Sequence, residues 1–119
     1  MATLEATNIV TVGFKKPVCL DEVHAQKRYV TIAKGSKALS LKEGAALDYD
    51  SSTMKYTADA VVSPAAILLE DVELGTDADV TATVLVAGEV DKNMISNVTL
   101  TDAVVQAMGT RGIFAKEVN

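Results

Sequence analysis

The chain is 119 residues long, 49% hydrophobic but only 4% aromatic, without Trp, and it carries a net charge of −5. That length suits one domain with a core of Val, Ile, Leu and Ala, and the acidic balance excludes the basic footprint of a nucleic-acid binder. No apolar run approaches the roughly 18 residues of a membrane span, and MATLEATNIV lacks the basic start and long apolar stretch of a secretory signal.

Residues 1–18, MATLEATNIVTVGFKKPV, read as an N-terminal arm ahead of a body of residues 19–119. Ile9, Val10 and Val12 have β propensity, Gly13 breaks the run, and Pro17 cannot sit inside a central strand. Nothing adjacent offers this stretch a hairpin partner, so it pairs with a distant part of the fold or with another chain. The charge is uneven in the same sense. Residues 1–42 carry seven Lys and Arg against three Asp and Glu; residues 43–119 carry four against thirteen. A basic front on an acidic body suits a segment that serves a partner.

CLDEVHAQK, residues 19–27, is a loop or a short helix. RYVTIA (28–33) alternates as a strand does. Gly35-Ser36 turns the chain and residues 38–41 resume it; Glu43-Gly44 turns it again. Ala46, Leu47 and Tyr49 open a strand that DYDSS ends, with Ser51-Ser52 at the tip and residues 54–57 returning. AAILLEDV (65–72) reads as one strand behind Pro64. Residues 79–90 are the clearest strand, with Val80, Ala82, Val84, Val86 and Val90 on one face; Gly88 within it marks a bulge, a bend or a close backbone approach. Residues 92–95 suit a single helical turn. TLTD (99–102) has the hydroxyl and carboxylate of a helix start. The helix has Leu100, Ala103, Val104, Ala107 and Met108 on its apolar side and Gly109 as its stop. Ile113-Phe114 packs as a last strand. The pattern is mainly β: a small single domain with one or two short helices and an extended N-terminal arm.

The chemical inventory is thin. His24 is the only histidine and Cys19 the only cysteine. The pair supplies two of the three or four ligands a metal needs, and its spacing matches no nucleophile–base arrangement. A lone cysteine forms no internal disulfide, which points to synthesis in a reducing cytoplasm. DYDSST lacks the central Gly and terminal Glu of a calcium loop, and the glycines are too scattered for a phosphate loop. No enzyme activity, metal or cofactor is expected.

Lys55 raises one alternative. Biotin and lipoyl carrier domains present a modified lysine on a hairpin, and Met54-Lys55 ahead of Pro64 resembles that site. Tyr56 replaces the second Met, however, and Ala65-Ala66 follows the proline where a glycine is expected. Lys55 therefore reads as a hairpin residue, with the carrier domain and an unrelated small β binding module as alternatives.

Four segments in order carry a wider resemblance: KEGAALDYDSSTMKY (42–56), AAILLEDVEL (65–74), DVTATVLVAGEVDKNMI (79–95) and AVVQAMGTRGIFAKE (103–117). Together they resemble the head decoration proteins of tailed bacteriophages, the lambda protein D type. The departures are Ala66, where the family usually has Gly, and Met108, where it often has Leu. The resemblance implies a β-clip fold and a homotrimer on the outer surface of an expanded icosahedral head. It implies the major capsid protein as partner, a cementing role against packaged DNA, and a place in the virion. It also implies an arm that is mobile in the free protein and orders on the capsid. On that expectation Leu4, Ile9, Val10, Val12 and Phe14 are the arm's apolar contacts and Lys15 and Lys16 its charged ones. Gly88, Glu89 and Val90 form a bend or a contact within the trimer.

Overall fold

The computed structural model describes residues 18–117. Eight strands follow in chain order: β1 (Gln26–Ile32), β2 (Leu39–Leu41), β3 (Ala46–Asp50), β4 (Lys55–Thr57), β5 (Ala66–Leu68), β6 (Val72–Leu74), β7 (Val80–Asp91) and β8 (Ile113–Lys116). A 3₁₀ turn (Lys92–Met94) and one helix, α1 (Asp102–Thr110), lie between the last two strands. The sheet runs β1-β4-β3-β5-β7, and a β1–β7 pairing closes it into a five-stranded barrel. β8 extends beyond the ring, parallel to β7. β2 and β6 form a separate antiparallel ribbon.

The composition explains the barrel's size. A ring of so few strands has a narrow interior, which small and branched side chains fill. Inside lie Ile32, Leu47, Leu68, Val84, Ala45, Ala58, Ala66 and Ala82, with Leu41 and Leu74 contributed by the ribbon. A second core sits on the outer side of the wall. There Ala46, Ile67, Leu85 and Val90 meet Met108 of α1, Ile113 of β8, and Val18, Cys19 and Ile95. The wall between the two cores is apolar on both faces, and Val84 and Leu85, adjacent on β7, are both fully buried, one in each core.

The face assigned to Val90 from alternation is corrected by this arrangement. Val80, Ala82, Val84 and Val86 do share the inner core, but Val90 belongs to the outer one. The β1–β7 register explains why: Gln26 pairs with Ala87 but Lys27 with Leu85, so Val86 is an extra residue. One extra residue reverses which face the following side chains take.

Three further expectations change. AAILLEDV is two strands, not one, because the chain leaves the barrel at residues 69–71 to join the ribbon. The corner is held by side chains: Glu70 accepts the Thr83 N–H at 2.7 Å and Asp71 the Glu43 N–H at 2.9 Å. The helix does not stop at Gly109, which lies inside α1; it stops through Gly112, whose φ of +92° suits the left-handed residue after a helix end. Its N-cap is Thr101 and not Thr99, the hydroxyl three residues ahead of Asp102: the Thr101 hydroxyl accepts the Val104 N–H at 3.3 Å, and Asp102 is the first helical residue. Ile113 and Phe114 do not both pack: Ile113 is fully buried and Phe114 is 51% exposed, as strand alternation requires. Among the described residues no helix is long and apolar enough to cross a membrane.

Candidate functional site

The site grows from the bend in β7. Gly88 has a φ of +138°, and a Cβ built on it would lie 3.2 Å from the Ala25 Cα. Both readings of this glycine, bend and close approach, therefore hold. The reason is the chain segment on the barrel side of β7. Residues 18–20 run antiparallel to β7, with Asp91 N–H donating to Val18 O at 2.8 Å and Leu20 N–H to Glu89 O at 3.0 Å. Residues 21–25 then arch away from the sheet and return as β1 past Gly88.

The arch and β8 enclose an open groove of about 450 Å³, lined by Asp21, His24, Ala87, Gly88, Glu89, Gly112 and Phe114. Its floor is backbone, small side chains and the Phe114 ring. β8 pairs Phe114 with Glu89 and Ile113 with Gly88, so Phe114 and Glu89 share the outward face while Ile113 and Val90 face the second core.

The polar groups of the rim are already engaged. Asp21 Oδ2 lies 2.8 Å from His24 Nδ1, and Lys116 Nζ 3.0 Å from Glu89 Oε2. Glu22 accepts from Lys27. The hydrogen bond from His24 holds the Asp21 carboxyl below the usual carboxylate range, and the one from Lys27 does the same for Glu22. Beneath the arch, burial in the second core pushes the Cys19 thiol up, away from the thiolate a nucleophile needs. Cys19 is buried and His24 is exposed on the arch, within hydrogen-bond distance of Asp21. Among the described residues no group of three or more His, Cys, Asp or Glu could hold a metal ion. The groove offers contact area and a rim of polar groups that are paired with one another.

The residues singled out from the sequence fall as follows. Gly88 and Glu89 line the groove, and Val90 is fully buried behind it. Leu4, Ile9, Val10, Val12, Phe14, Lys15 and Lys16 lie outside the described residues. Val18, at the end of the segment read as an arm, is fully buried in the second core. Lys55 is the first residue of β4, paired with Asp50 across the hairpin, and its Nζ reaches Asp79 at 2.6 Å. The turn before it ends at Met54, which is 75% exposed. The chain thus places Met54, not Lys55, toward the tip, and gives the lysine a carboxylate partner.

Asp21, His24 and Phe114 were not foreseen as groove residues. Phe114 had a signal in IFAK, where alternation lets only one of Ile113 and Phe114 face a core. The arch had none, because its position depends on β7 pairing across some 70 residues of sequence. No protein-family model and no curated protein matches this chain.

Proposed function

We propose that this protein is a phage head decoration protein, a β-clip-type body that binds the outer surface of an expanded capsid as a trimer and uses residues 1–18 as its anchoring arm. One observation carries the reading: the four resembling segments occur in order, and each occupies its own structural unit. KEGAALDYDSSTMKY covers the turn, β3 and β4; AAILLEDVEL covers β5 and β6; DVTATVLVAGEVDKNMI covers β7 and the 3₁₀ turn; AVVQAMGTRGIFAKE covers α1 and β8. The likeness therefore covers four of the five barrel strands, the ribbon strand β6, and α1 and β8 of the second core, while β1 and β2 lie outside it.

The way residues 18–20 join the sheet supports the arm's part. They add to β7 by backbone pairing, with Val18 buried behind them. An arm rooted this way starts from a rigid sheet, and strand addition to a capsid sheet edge would continue the same kind of pairing. The Lys55–Asp79 ion pair supports the hairpin reading of Lys55 over the carrier one, because a modified lysine stands free of such a partner.

The test is co-sedimentation with expanded, undecorated heads, comparing the full chain with a version starting at Val18. Saturable binding at a threefold-related stoichiometry, lost on truncation, is the expected result. Binding that survives truncation would keep the role and remove the arm. No binding by either form, or a covalent adduct on Lys55 in the intact mass, would overturn the reading.

A further inference from the structure

We propose that the open edge of β1, from Lys27 to Thr31, is a strand-acceptor site for an extended segment of another protein, one that carries a carboxylate and an apolar side chain on the same face. The barrel is unevenly closed. β1 pairs with β7 over seven residues but with β4 at one, Ile32 with Tyr56. The Ala33 N–H donates to the Tyr56 carbonyl at 2.8 Å, which fixes the side of β1 that faces β4. Backbone groups alternate sides along a strand, so Thr31, Tyr29 and Lys27 turn theirs to that same side, away from β7. The pairing on β7 agrees. Thr83 lies across from Tyr29, yet its N–H goes to Glu70 and its carbonyl to the Leu69 N–H, both in the segment that leaves β5. β4 does not run on to cover the edge, because two residues before Tyr56 the chain is Met54, at the end of the hairpin turn. Among the described residues no strand lies beside the Tyr29 N–H and carbonyl. An unpaired edge of this kind is a template for a further strand.

The gap is bordered by apolar surface. Tyr29, Tyr49 and Met54 are three of the six large hydrophobic side chains exposed among the described residues. Tyr49 packs on Tyr56 with 5.0 Å between ring centres, and Val30 and Tyr56 are only partly buried against the inner core. Met54 has a φ of +61°, a left-handed turn position that glycine fills without strain. An exposed side chain held against strain points to a use beyond the fold. Charge selects the occupant. β1 reads QKRYVTI, two cations and no carboxylate. Lys27 is paired with Glu22, but among the described residues Arg28 has no carboxylate partner. Arg28 lies across from Val84, on the face it shares with Val30. A strand added antiparallel to β1 would set a carboxylate beside Arg28 and, two residues earlier, an apolar side chain beside Val30, while covering Tyr29 on the other face. A second copy of β1 is the poorer donor, since it adds cations to a cationic edge. Here the body accepts a strand, whereas the arm of the decoration reading donates one, so the inference does not rest on that reading.

The experiment titrates the ¹⁵N-labelled full chain with a blocked pentapeptide, threonine-valine-tyrosine-glutamate-threonine, and with its counterpart bearing lysine for glutamate. The glutamate peptide should shift the amide resonances of Lys27, Tyr29 and Thr31 and half-saturate in the millimolar range. At nine-tenths saturation, hydrogen exchange at Tyr29 and Thr31 should slow about tenfold. The lysine peptide should bind at least about fivefold more weakly, and R28E should reverse that order. Arg28 is exposed, so R28E leaves both cores intact. No shift at residues 27–31 up to about 20 mM peptide would overturn the proposal. So would shifts confined to the groove around Phe114, or equal binding of the two peptides by the unsubstituted chain. Shifts at residues 27–31 that grow with protein concentration alone would also overturn it, since the occupant would then be a second copy.

Discussion

Replacing Gly88 by Ala tests the bend from which the whole site is built. Two penalties combine there. At a φ of +138° an L-residue is strained, which costs about 1–3 kcal/mol. The added Cβ would also stand 3.2 Å and 3.3 Å from Ala25 Cα and Cβ and 3.4 Å from Leu85 Cδ1. The Leu85 methyl can give way, but Ala25 is main chain at the foot of the arch, and crowding a packed site costs about a further 1–2 kcal/mol. G88A should therefore lose about 2–5 kcal/mol, a large part of the roughly 5–15 kcal/mol of a small domain. The assay is urea unfolding followed by far-UV circular dichroism. With a slope near 1.5 kcal/mol per molar, a 3 kcal/mol loss lowers the midpoint by about 2 M. Gly75→Ala is the control: a Cβ there meets nothing within 4 Å, so it should stay within about 0.5 kcal/mol of the parent. If G88A and G75A unfold together, the account of the bend is wrong.

Two further substitutions probe how the wall and its ends are held. The Asn97 side chain accepts the Ala46 N–H at 2.6 Å and donates to the Ala46 carbonyl at 2.8 Å, in place of a neighbouring strand. Ala46 is fully buried, so Asn97→Ala should cost about 1–3 kcal/mol in the same urea assay; an unchanged midpoint would mean water replaces the amide freely. Asp79 accepts from Lys55 Nζ and from the Lys34 N–H, and these bonds hold its carboxyl below the ordinary 3.8. A depressed carboxylate stabilises the fold above its unfolded pKa, and that contribution is lost as pH falls through the lower, folded value. Asp79→Asn should therefore lower the melting temperature at neutral pH, with the gap to the parent closing as pH drops past about 4. A gap that widens on acidification would contradict the sign.

Local pattern was enough for the elements whose pairing is local or whose faces differ. The alternation of RYVTIA and the β3–β4 hairpin around its serines rest on neighbours within a few residues, and so does the presence of a helix after TLTD, though not which threonine caps it. What could not be read is what arises between distant segments. Nothing in VTATVLVAGEVD says that β7 bears a core on each side: Thr81, Thr83 and Glu89 give the second face a polar look, yet Leu85 on that face is fully buried. The extra residue at Val86 exists only relative to β1, so the alternation rule, sound up to the bulge, puts Val90 on the wrong side. AAILLEDV looked continuous because Glu70 and Asp71, which fold the corner, resemble an ordinary charged strand end. The groove is less legible still, being assembled from an arch, a bend and a strand that meet only after the barrel closes.

Under the proposed role, that closure matters for energetics. A barrel wall packed on both faces resists deformation, so docking would not be spent on reshaping the body. The cost of ordering falls on the arm, at about 1–2 kcal/mol of backbone entropy for each residue fixed. Ordering Val10 to Phe14 alone would cancel most of what so short an apolar strip gains. A single arm would then bind in the millimolar range, about 4 kcal/mol. A trimer changes the outcome without new contacts: once one arm is seated, the others bind at the effective concentration of their tethers, which can raise the overall affinity by about 10²–10⁴. Under that role residues 18–20 would set that concentration, since a root pinned by two backbone hydrogen bonds and the buried Val18 would confine an arm's search more than a free loop would. Weak single arms on rigid roots bind firmly where three sites match and release where they do not. That selectivity is what a cement protein needs to distinguish an expanded lattice from an unexpanded one.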